Sequence, residues 1–156
     1  MLRLLAAGLI IFAGAGLGFA AAEGYRRRPR QLRQLQFALT FLASEIRYRQ
    51  TPLPQGMEAT AAAVGGPVGL LFSDLAAALK GAGGRALSWA WEQVEPRRDL
   101  ALAPQDYALL ASLVRVLGTG AVAEQVGQLE LHLRHLGQLE AEAEKARTAN
   151  EKVWRY

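Results

Sequence analysis

The sequence predicts an all-α protein, in which an N-terminal transmembrane helix leads into a compact multi-helix bundle. Three observations predict it. The first 22 residues hold 17 apolar residues, four glycines and a single charge, Arg3. The residues after them are about 47% apolar, which is ordinary for a globular chain. Through that second part apolar residues recur at helical spacing, and no polar–apolar alternation is long enough for a strand. With 156 residues in all, one soluble domain is expected after the anchor. A polytopic transporter, a disordered tail and a disulfide-stapled mini-domain are excluded. The chain has no cysteine, which removes thiol nucleophiles, redox pairs and thiolate zinc sites from consideration.

The domain boundary is drawn at residue 25, with an anchor over 1–25 and a cytoplasmic bundle over 26–156. Leu2 to Ala22, as a helix rising 1.5 Å per residue, spans about 31 Å, the thickness of a bilayer's hydrocarbon core. Arg3 sits where it can snorkel to the headgroups. The rival is a signal peptide cleaved after Ala22, at Ala20-Ala21-Ala22. A retained anchor is preferred because Arg26, Arg27, Arg28, Arg30 and Arg33 follow at once, and basic flanks stay on the cytoplasmic side. Arg26, Arg27 and Arg28 are therefore assigned to membrane orientation, N-terminus out. Gly14, Gly18 and Ala22 share a helix face, as small residues at helix contacts do, but glycine is also common in membrane helices.

Pro29 suits the first turn of a new helix. Leu32, Leu35, Leu39, Leu42 and Ile46 then form one apolar stripe, widened by Phe37 and Phe41. That helix is expected to stop near Gln50, because Pro52 disfavours helical geometry at Thr51. Thr51 as N-cap and Pro52 at the first position restart a helix that ends at Gly65-Gly66-Pro67. Val68 to Lys80 forms the next, closed by Gly81-Ala82-Gly83-Gly84, a run with no following Gly-Lys-Ser/Thr to make a phosphate loop. Arg85 to Glu95 is a short helix bearing Trp89 and Trp91, one expected in the core and the other partly exposed, and Pro96 opens a loop. Pro104 to Leu117 is amphipathic and stops at Gly118-Thr119-Gly120. A long last helix from Ala121 carries Val122, Val126, Leu129, Leu133 and Leu136 on one face.

Few side chains offer chemistry. His132 and His135, with Glu130 nearby, are the one candidate metal group, but the spacing equally fits a polar helix face, and no metal is assigned. Ser44, Ser73, Ser88 and Ser112 are scattered, and none lies in a nucleophile motif. Glu140, Glu142 and Glu144 fall around a solvated helix. No catalytic set, cofactor or small-molecule substrate is predicted.

Charge is regional. Residues 23–49 carry seven arginines against Glu23 and Glu45, while the remaining bundle is close to neutral. A nucleic-acid binder spreads its arginines over a folded face, so nucleic acid is not an expected partner. The polar face of the Arg28–Gln50 helix, with Arg30, Arg33, Glu45 and Arg47 exposed, is the candidate partner-binding surface. The same arginines would serve equally well in intradomain pairs.

Arg28-Pro29-Arg30-Gln31-Leu32-Arg33-Gln34-Leu35 and Thr51-Pro52-Leu53-Pro54 carry a family resemblance. With the anchor, Ala90-Trp91-Glu92, the Leu117-Gly118 stop and the charged last helix, the ordered set resembles the stage III sporulation protein AB family over nearly the whole chain. Glu45, seventeen residues after Arg28, fits an acidic position before the T-P-L-P turn. Thr119-Gly120-Ala121 departs from the family's Ser-Asp cap, although Gln125 fits. The family's second apolar helix, beyond the position of Tyr156, is absent here, so the chain is either cut short before it or a one-anchor variant. On that reading Trp154 and Tyr156 would edge the missing span.

The resemblance implies a non-enzymatic subunit of the complex linking mother cell and forespore, placed in the mother-cell membrane. It implies a likeness to inner-membrane platform subunits of type II secretion and type IV pilus machines. The implied partners are a cytoplasmic secretion-type ATPase and other membrane subunits. The alternatives are a membrane-tethered helical binding module outside sporulation and an exported, cleaved helical protein.

Overall fold

The protein is described by a computed structural model covering residues 2–94 and 100–153, with side chains from residue 6 onward. The expectations for Arg3, Pro96, Trp154 and Tyr156 lie outside those descriptions. Six helices follow in order: α1 (Leu2–Tyr48), α2 (Leu53–Val64), α3 (Gly66–Lys80), α4 (Leu87–Val94), α5 (Pro104–Val116) and α6 (Val122–Val153). The all-α expectation holds.

The first 20 residues of α1 project from the bundle. Leu9, Ile10, Ile11, Phe12, Leu17 and Phe19 are 71–85% exposed, and no part of that apolar window is covered by other helices. Farther along, α1 is the bundle's central element. Leu32, Leu35, Leu39, Leu42 and Ile46 are all buried, as their spacing requires. They meet Met57 of α2, Leu71, Phe72 and Leu75 of α3, Trp91 of α4, Leu110 and Leu113 of α5, and Leu129 and Leu136 of α6 in one continuous core. Burying a leucine of this kind stabilises by about 1.5–3 kcal/mol. α6 runs antiparallel to α1 for most of its length, and α2 and α3 form a tight hairpin against the other side.

Several expectations are corrected. Pro29 does not begin a helix: α1 runs unbroken from Leu2 to Tyr48 with Pro29 buried inside it. An interior proline forfeits one backbone hydrogen bond and costs about 3 kcal/mol in isolation. Here Arg26, Arg28 and Arg33, within four residues of it, are each paired to α5 or α6, and those ties hold the helix on course. α1 ends at Tyr48, two residues earlier than expected, because Gln50 turns the chain in the left-handed region at φ 49°. Thr51 does not cap α2. Pro52 occupies the N-cap, and the Thr51 hydroxyl donates to Glu45 Oε2 at 3.1 Å. Phe37 does not widen the core stripe: it is 54% exposed on the outer face of α1, stacked at an angle on the half-buried Phe41 at 6.5 Å. Val122 is also exposed, on the first turn of α6. Trp91 is buried and Trp89 half-exposed, with Arg85 over its ring at 4.9 Å.

Candidate functional site

The residues chosen from sequence all fall on α1, and the structure gives each a different task. Arg33 reaches across to α6, with Nε 2.8 Å and Nη2 2.7 Å from Glu140 Oε1. Gln36 donates to the other oxygen of the same carboxylate at 2.6 Å. Nearly three turns of α6 away, Arg47 Nη2 donates to Glu130 Oε1 at 2.6 Å. At the opposite end of the seam, Arg26 Nε lies 3.6 Å from Glu151. These pairs set the antiparallel register of α1 and α6. The Arg47 guanidinium is held charged above its usual range, first by its bond to Glu130.

Glu45 corrects the expected surface. It is buried, 4% exposed, under the start of α2, where Gly56 packs closely against Leu42 and Glu45. Its carboxylate accepts from Thr51 and pairs with Arg49 at 3.4 Å. Glu45 therefore ties down the α1–α2 turn. Arg33 and Arg47 are exposed as expected but committed to α6. Arg30 alone of the four is exposed with no hydrogen-bonding or ionic partner among the described residues.

Arg28 does more than flank a membrane span. Its Nε and Nη2 donate to the two oxygens of Asp106, each at 2.8 Å. Asp106 is fully buried and also accepts from the Ala103 amide at 2.8 Å, closing the first turn of α5. The Arg28 guanidinium is held charged above its usual range by this bond, against the opposing effect of burial. One turn along, the buried Gln31 accepts from the Ala101 amide at 2.7 Å. The polar residues of the R-P-x-Q pattern thus clamp the segment entering α5 onto α1. Arg26 is exposed and Arg27 half-buried beside them.

The histidines separate. His132 is buried, whereas His135 is exposed. His132 Nδ1 lies 2.8 Å from the Gln128 carbonyl and Nε2 lies 2.9 Å from Ser112 Oγ. Ser112 in turn donates to the Leu109 carbonyl at 2.8 Å. The serine–histidine contact was invisible in sequence, and it staples α5 to α6. Among the described residues no group of three histidine, aspartate or glutamate side chains is placed to hold a metal ion.

Two grooves open where α6 meets α1 below the apolar segment. One, of about 370 Å³, is lined by Arg26, Pro29, Arg30, Arg33, Glu144, Arg147 and Glu151. The other, of about 580 Å³, shares Arg26, Arg147 and Glu151 and continues upward along Ala15, Phe19 and Ala22. Arg147 is bound to Glu144 and Glu151. The Glu144 carboxyl is held below the usual carboxylate range, chiefly by its bond to Arg147.

The fold is an all-helical bundle continuous with one helix long and apolar enough to cross a membrane. The chain belongs to the stage III sporulation protein AB family, whose model matches residues 3–156. It is 37% identical over 155 residues to stage III sporulation protein AB of Bacillus subtilis (strain 168), covering 98% of this chain and 90% of that protein. A solved structure of stage III sporulation protein AB superimposes with a TM-score of 0.72 at 35% identity, covering 79% of this chain and 98% of the solved one.

Proposed function

We propose that this chain is a non-enzymatic, membrane-anchored subunit of the complex that joins mother cell and forespore during endospore formation. It resembles the inner-membrane platform subunits of type II secretion and type IV pilus machines. The observation that carries this reading is the continuity of α1. One helix of 47 residues, about 70 Å long, forms both the exposed apolar segment and the centre of the bundle. A span joined to the bundle without a flexible linker holds it at a fixed distance and angle from the bilayer, which suits a docking platform.

The chain's N-terminus lies outside and the bundle lies in the mother-cell cytoplasm, on the side that the arginines of residues 26–33 favour. The anchor is retained rather than cleaved after Ala22, because the basic residues that follow it favour the cytoplasmic side. The bundle docks a cytoplasmic secretion-type ATPase and contacts other membrane subunits. The docking surface is the outer face of α1, where Phe37 and Tyr48 stand exposed and Phe41 half-exposed. Exposed aromatics are among the residue types that dominate binding energy at interfaces. Deleting the gene in its sporulating host tests the proposal. Loss of late forespore transcription, restored by the wild-type copy, is expected. Normal sporulation in the deletion strain would overturn it.

A further inference from the structure

We infer that the groove between α1 and the end of α6 binds the phosphate headgroup of an anionic phospholipid, with an acyl chain lying along the apolar wall above it. The inference rests on α1 crossing the membrane, as proposed above.

Depth is the first support. Ala22 ends the apolar run, so Arg26 and Arg30 lie about 6 and 12 Å farther along the helix. The headgroup layer is about 5–7.5 Å thick on each side of the hydrocarbon. Arg26 therefore sits within that layer, and the long side chain of Arg30 reaches it from just beneath.

Charge is the second. Four arginines and two glutamates line the lower groove. Arg147 satisfies Glu144 and Glu151, and Arg33 is bound to Glu140. Arg26 holds Glu151 only at 3.6 Å, and Arg30 holds no partner among the described residues. The positive surplus is thus concentrated on Arg30 and Arg26, which face one cleft. Guanidinium forks of this kind match a phosphate diester.

Shape is the third. The neighbouring groove shares Arg26, Arg147 and Glu151 at its polar end, where Glu23 and Asn150 also line it, and rises past Ala22 to Phe19 and Ala15. A polar cleft opening into an apolar channel at membrane depth has the form of an amphiphile rather than of a soluble anion.

The test uses the full chain in neutral detergent micelles, with short-chain phosphatidylglycerol, phosphatidylcholine and glycerol phosphate as probes. Bound species are counted by native mass spectrometry. Phosphatidylglycerol is expected to bind at least fivefold or so more tightly than phosphatidylcholine. Arg30→Gln should weaken it about fivefold and R26Q/R30Q about 25-fold, one factor per basic residue. Arg115→Gln, on the exposed side of α5, should change nothing. Equal binding of the two lipids, or equal effects of R30Q and R115Q, would overturn the inference. Glycerol phosphate binding as tightly as the lipid would assign the cleft to a soluble anion and also overturn it. Carbonate extraction of membranes separates the two levels of failure. Protein released by carbonate contradicts the anchor itself, whereas protein retained without lipid preference contradicts only the site.

Discussion

Arg28→Ala should destabilise the bundle more than any other single arginine substitution. The change removes two hydrogen bonds of 2.8 Å to Asp106 and leaves a fully buried carboxylate with the Ala103 amide as its remaining described partner. Removing one partner of a buried pair costs about 3–5 kcal/mol, because the stranded charge keeps its desolvation penalty. The opposite change, R28M/D106L, removes both charges and should lie within about 1–2 kcal/mol of wild type, since replacing a buried pair by apolar residues is often close to neutral. The assay is urea unfolding of the full chain in micelles, followed by the fluorescence of Trp89 and Trp91, which sit on opposite sides of the core boundary. Thermal melting offers a second reading, with a drop of roughly 10–20 °C expected for R28A. If R28A fell within about 1 kcal/mol of wild type, or if the double substitution were as damaging as the single one, the claim that Asp106 is a buried charge held by Arg28 would fail.

Other outcomes follow from the same packing. Gly69→Ala should cost about 1–3 kcal/mol in the same assay, because the new Cβ would stand 2.8 Å from the Ala61 carbonyl oxygen across the α2–α3 hairpin. Gln50→Gly should stabilise by about 0.5–1 kcal/mol by relieving the left-handed backbone at the end of α1. Arg33→Glu should cost no more than about 1 kcal/mol and be recovered in the charge swap R33E/E140R, read by a double-mutant cycle. Glu144 should titrate below an unpaired glutamate by NMR and rise in R147Q. The contribution of that pair is present above the ordinary carboxylate range and is lost as pH falls through the depressed value.

The periodicity of α1 was legible because its buried face is set by residues three and four apart. Leu32 through Ile46 needed no tertiary information, and the stops at Gly65, Gly81 and Gly118 announced themselves. What stayed hidden depends on partners distant in sequence. Pro29 looked like a helix start because local rules favour it there, yet contacts from α5 and α6 carry the helix through. Arg28 read as a topology signal, since nothing near it hinted at Asp106, 78 residues away. Glu45 looked exposed by charge and proved buried because Gly56 lets α2 come close. Ser112 and His132 share no sequence motif, and the α5–α6 turn brings them together. By sequence Phe37 and Phe41 belong to the core, since both are apolar and lie near the stripe. Its exposure is set by where α2 and α6 pack. Of the expected binding surface, Arg30 remains unengaged, while Arg33, Glu45 and Arg47 have structural partners.

Co-purification of the membrane-embedded full chain with the secretion-type ATPase from sporulating cells tests the platform reading most directly. The wild-type chain should retain the ATPase, and F37E/F41E, which alters the outer face of α1 and leaves the α1–α6 ion pairs in place, should lose it while keeping the wild-type melting profile. An ATPase that fails to accompany the wild-type chain, or that binds the aromatic variant equally well, would contradict the account.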